Sequence, residues 1–95
     1  MIVGVRRWEL HLSGCQSLKD KRRILRSLMD RTRREFGISI AEVGDQDLWN
    51  VATLGVAVAT NDSAHAESVI QHVVDFFDGC PDIAVESAEK RIDRS

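Results

Sequence analysis

The apolar residues of this chain switch from a spacing of two to the helical spacing of 3.6 and back, twice over. That double switch allows few folds. Residues 2–12, IVGVRRWELHL, read as a strand whose better core face carries Ile2, Gly4, Arg6, Trp8, Leu10 and Leu12. Residues 17–36, SLKDKRRILRSLMDRTRREF, read as a helix with Leu18, Leu25, Leu28, Met29, Thr32 and Phe36 on one side. Ser17 and Asp20 form a capping pair at its start, and Gly37 stands where a left-handed C-terminal stop belongs. ISIAEVG (38–44) and VATLGVAVAT (51–60) are two further strands joined by DQDLWN (45–50), a connection too long for a two-residue turn. Asn61 or Asp62 caps a second helix over about 63–78, and Gly79, Pro81 and Asp82 stop it. A last strand over 83–93 is convincing at Ile83 and Val85 and weak beyond.

The order β-α-β-β-α-β, with right-handed crossovers, defines an α+β class of fold. It is the ferredoxin-like arrangement, a four-stranded antiparallel sheet with both helices on one face. At 95 residues the chain makes one domain, residues 1–95, with a core small enough that dimerisation would help it. The other sheet face, with Val3, Val5, Val43 and several alanines, starts uncovered and invites a second copy. Opposite Leu54, Val56 and Val58 on the third strand lie Thr53, Gly55, Ala57 and Ala59, small residues of the kind found where something approaches closely.

Two side chains sit oddly in this pattern. Arg6 falls on the core face of the first strand, where it must snorkel to the sheet margin or find an acid, unless the register differs. Lys21 projects at the edge of the apolar seam, where it either snorkels or pairs with an acid such as Asp47. Leu48 and Trp49 are unusual loop residues: they tuck beneath the sheet or offer a partner an apolar anchor.

Charge is divided unevenly along the chain. Residues 1–37 hold ten basic and four acidic side chains, whereas residues 38–95 hold three basic and eleven acidic. Most of the positive charge lies on the first helix, where Lys19, Arg22, Arg26 and Arg33 make a stripe that Arg23 and Arg34 widen. Such a division marks either a nucleic-acid partner, a molecule that packs basic face on acidic face, or simply two solvated helix faces.

Several chemistries are set aside. Gly44 and Gly55 are isolated within strands, so no phosphate-binding glycine loop exists. His65 and His72 stand seven apart, about 10 Å along a helix and too far to share a metal ion. No Ser-His-Asp or Cys-His arrangement is visible, and His11 near Glu9 does not make one, so neither an enzyme nor a cofactor is expected. Cys15 and Cys80 read as ordinary thiols of a reducing cytoplasm. No run of 18 apolar residues and no signal-peptide pattern is present, so a membrane is not an expected partner.

Three stretches, VGVRRWELHL, SLKDKRRILRSLMDR and AEVGDQDLW followed by LGVAVATNDSAHAESV, resemble the YlxP-like family of bacterial proteins. The resemblance runs from residue 2 to about residue 90. It implies a ferredoxin-like fold and brings no catalytic residues. Genes of that family commonly lie beside those for translation initiation and ribosome-maturation factors, which implies a role near RNA or the ribosome. Arg6 departs from the apolar residue usual there.

The expectation is therefore a non-catalytic, RNA- or ribosome-associated protein that uses Lys19, Arg22, Arg23, Arg26, Arg33 and Arg34 on structured RNA. Base stacking on the sheet, as in RNA-recognition motifs, is disfavoured, because 51–60 has no aromatic residue and Trp8 points inward. The alternative is a small homodimeric interaction or regulatory module, with Leu48 and Trp49 as partner-binding residues.

Overall fold

Alternation of apolar with polar residues produces the first strand, β1 (Ile2–Leu12), in this computed structural model, which describes the backbone of residues 1–94 and the side chains of residues 1–86. Trp8, Leu10 and Leu12 face inward from β1, while Arg7, Glu9 and His11 face outward. There follow α1 (Leu18–Phe36), β2 (Ser39–Gly44), β3 (Val51–Thr60), α2 (Ser63–Asp78) and β4 (Ile83–Arg94). The strands form one antiparallel sheet in the order β2-β3-β1-β4. That order is the ferredoxin-like one.

Both helices cover the same face. Leu25 and Leu28 of α1 join Ile70, Val73 and Phe77 of α2 in one core with Trp8, Leu10, Ile40, Leu54 and Val56. Trp8 and Phe77 meet edge to face, with ring centroids 5.3 Å apart, and neither is exposed. The caps behave as the sequence implies. Ser17 Oγ accepts the Asp20 backbone N–H at 3.1 Å, Gly37 takes a left-handed φ of 61°, and Asp62 Oδ1 accepts the Ala64 N–H at 2.9 Å.

Arg6 lies on the core-facing side opposite Val56, so the register stands. Its guanidinium carbon sits 5.3 Å from the centre of the Trp8 ring, and this cation–π contact is how the half-buried charge is housed.

Lys21 pairs with an acid other than Asp47. Its Nζ lies 2.9 Å from Glu42 Oε2, because Glu42 stands opposite Leu54 on the helix-facing side of β2, whereas Asp47 is exposed.

The uncovered face holds Val3, Val5, Ala41 and Val43, as the alternation implies. Val43 shares the parity of Ala41, and the β2–β3 register shifts beside it, between Glu42 and Gly44. The close approach inferred at Gly55 is made by Val43 itself. A Cβ placed on Gly55 would lie 3.1 Å from Val43 Cγ1.

Candidate nucleic-acid interface

One flank of α1 carries a cluster of exposed cations. The helix turns Lys21, Leu25, Leu28 and Thr32 inward, which sends Lys19, Arg22, Arg23 and Arg26 outward as neighbours. With Ser27 and Asp30 these four cations line a shallow groove of about 470 Å³. Arg23 has a loose ion pair with Asp20 at 3.9 Å. No pairing among the described residues occupies Lys19, Arg22 or Arg26. The structure thus gathers four of the six candidate basic residues.

The other two sit further along. Arg33 is partly committed: one guanidinium nitrogen donates to the Ile40 carbonyl at 2.8 Å and another to Asp30 at 3.1 Å. It ties α1 to β2 and keeps the rest of its charge outward. Arg34 is exposed near the C-terminal end.

Position along the helix matters as much as number. The N-terminal end of a helix carries partial positive charge, so acidic residues stabilise the first turns and basic ones do not. Lys19, Arg22 and Arg23 occupy those turns with only Asp20 as the acid there. The helix dipole does not favour cations there, and among the described residues only Arg23 has an acid, Asp20, close by.

The loop 45–50 stands at this same end of α1. Lys21, 1% exposed, donates to the carbonyls of Asp45 and Leu48 at 2.6 and 2.5 Å and forms an ion pair with Glu42. The Cys15 thiol donates to the Trp49 carbonyl at 2.9 Å, and the Leu12 N–H to the Asn50 carbonyl at 3.0 Å. Thr53 Oγ1 donates to Asp45 Oδ2 at 2.7 Å, holding Asp45 at a φ of 58° that few non-glycine residues adopt. With its backbone held inward, the loop turns Leu48 and Trp49 outward, 48% and 46% exposed. Neither side chain is tucked beneath the sheet.

The sequence showed Lys21 as anomalous but not Glu42 or Cys15 as its fellow anchors. For Glu42 a signal existed. It shares the strand parity of Ile40, so it had to face the helices.

Elsewhere, the uncovered sheet face has a concavity of about 480 Å³ lined by Val5, Arg7, Ala41, Val43, Gly55 and Ala57 among others. His65 and His72 are exposed and His11 stands 4.0 Å from Glu86, an exposed pair. Among the described residues no three His, Cys, Asp or Glu side chains converge as metal ligands. Among them, too, no helix is long and apolar enough to cross a membrane.

Comparison with known proteins agrees with the fold. A de novo designed protein with a ferredoxin fold, solved in solution, superposes with a TM-score of 0.57 at 13% identity, over 96% of this chain and 85% of its own. Uncharacterized protein YlxP of Bacillus subtilis (strain 168) is 32% identical over 82 residues, which make up 86% of this chain and 89% of that protein. The model of the family "Protein of unknown function (DUF503)" matches residues 3–90. The chain therefore belongs to the DUF503 family, on a ferredoxin-like fold.

Proposed function

We propose that this is a non-catalytic cytoplasmic protein that binds the phosphate backbone of structured RNA, in ribosomal particles or beside them, along the basic flank of α1. The observation that carries the reading is the row Lys19, Arg22, Arg23 and Arg26, which lines an open groove at the helix end where positive charge least favours the helix. Guanidinium groups suit this task, since they stay charged and form paired hydrogen bonds to phosphate oxygens. Contacts of that kind fix position without reading bases, so recognition is by shape. Free thiols at Cys15 and Cys80 fit a reducing compartment.

The test is the salt dependence of binding to ribosomal RNA fragments. Each neutralised phosphate releases counterions, so four or five contacts give a loss on the order of 10²-fold between 50 and 200 mM salt. The double variant Arg22→Gln/Arg26→Gln should bind more weakly and lose about two units of slope in a plot of log affinity against log salt. Failure of the parent to bind at 50 mM salt refutes the reading.

A second reading has its own observation. The sheet-face concavity and the exposed Val43 beside it fit a two-fold homodimer that packs open face on open face. Sedimentation that shows only monomer at high protein concentration excludes it.

A further inference from the structure

We infer that Trp49 is a stacking platform for an unpaired base, so that the RNA held by α1 is one with a loop, bulge or single-stranded end next to a helix. The inference rests on the phosphate-binding reading of α1 and adds a second kind of contact to it.

The argument starts from the loop's construction. A tryptophan half exposed on a mobile loop has little meaning, because its position costs nothing to change. Trp49 is different. Its own carbonyl is bound by Cys15, the preceding carbonyl by Lys21 and the following one by Leu12, so three successive peptide groups are fixed. The ring is presented by a backbone that has already lost its freedom, and binding to it carries little ordering cost. Leu48 beside it broadens the apolar surface.

The surroundings select the occupant. Lys21, which fixes the loop, is followed directly by Arg22 and Arg23, and Lys19 precedes it by two positions, all three exposed. The loop is thus anchored at the N-terminal end of α1, the end from which the cationic groove runs. An aromatic face beside a row of guanidinium groups fits a polymer that carries flat rings on an anionic chain. Asp47, exposed on the same loop, opposes a phosphate there. The phosphates accordingly run along α1, and it is a base that reaches Trp49. Sheet stacking is not available for this purpose, since the open face of β3 shows Val51, Thr53, Gly55, Ala57 and Ala59.

The experiment uses the full chain and two RNA probes at 50 mM salt: a hairpin with an unpaired loop, and its stem alone as a blunt duplex. Quenching of tryptophan emission by a stacked base reports on Trp49, because the other tryptophan, Trp8, is fully buried and out of a base's reach. The expected result is quenching by the hairpin and roughly 10-fold tighter binding of the hairpin than of the duplex. Trp49→Ala should abolish that preference, Trp49→Phe should retain part of it, and Asp47→Asn should tighten both complexes. Arg22→Gln/Arg26→Gln should weaken hairpin and duplex alike.

Equal binding of the two probes without quenching overturns the platform and leaves the basic stripe standing. So does a Trp49→Ala protein that keeps the hairpin preference. If neither probe binds the parent, both readings fall together. If Trp49→Ala instead abolishes self-association and leaves RNA binding untouched, the loop is a contact between copies of this chain and the inference is wrong.

Discussion

The two helices lie side by side on the same sheet and have been shaped by different demands. From α2 the inward residues are Ala66, Ile70, Val73 and Phe77, none of them exposed, flanked by the partly buried Val69, Val74 and Phe76. Its outward residues Glu67, Gln71, Asp75 and Asp78 face water. From α1 the inward residues are Lys21, Leu25, Leu28 and Thr32, two of them polar, and the outward ones are mostly cations. Packing therefore accounts for α2 almost entirely. It accounts for α1 from Ile24 to Phe36, while the N-terminal third carries Lys21, which holds the loop, and the exposed cations Lys19, Arg22 and Arg23.

That contrast can be broken first at Phe77. Its replacement by Ala removes a ring that fills the centre of the core and should cost about 3–5 kcal/mol in urea unfolding, with no direct effect on the basic groove. A loss below about 1 kcal/mol would show that α2 is not the apolar anchor of the fold.

Lys21→Met tests the corresponding point in α1. The change leaves two carbonyls and the largely buried Glu42 carboxylate without their cation, so a loss of about 2–3 kcal/mol is expected although the new side chain is apolar. Hydrogen exchange at Leu48 should also quicken, since its N–H, bonded to Asp45, belongs to the loop that Lys21 fixes. Unchanged exchange there would mean that the ammonium does not hold the loop.

The smallest effect is expected where the charge is most conspicuous. Arg22→Gln should change stability by less than about 0.5 kcal/mol, and in the direction of a gain, because it relieves positive charge near the helix N-terminus. A clear loss of stability would assign Arg22 to the fold and remove it from the binding surface.

How much of this was visible in the sequence differs between the same two regions. The bounds of β1, β3 and α2 follow from periodicity and caps, because their apolar and polar residues alternate at the strand and helix periods and Asp62 and Gly79 mark the ends of α2 locally. The partners of Lys21 do not follow. Both of its hydrogen-bond acceptors are backbone carbonyls, which every residue possesses, so no side-chain pattern distinguishes Asp45 and Leu48 from their neighbours. The housing of Arg6 over Trp8 was equally hidden, since a two-residue offset along a strand states that side chains share a face but not that they stack. The approach of Val43 to Gly55 lies beside a shift of register, which arises between strands and not within one.

The strand order has a consequence for how copies of this molecule can be strung together. A sheet in the order β2-β3-β1-β4 ends in two outer strands, and each outer strand is a template for another chain. Here β2 is six residues long, its pairing with β3 breaks between Glu42 and Gly44, and Arg33 reaches across to hold the Ile40 carbonyl. An edge so short and distorted extends a ribbon poorly, whereas β4, at twelve residues, offers a long run. Of the two edges, β4 is therefore the better template for strand addition, and β2 the poorer one.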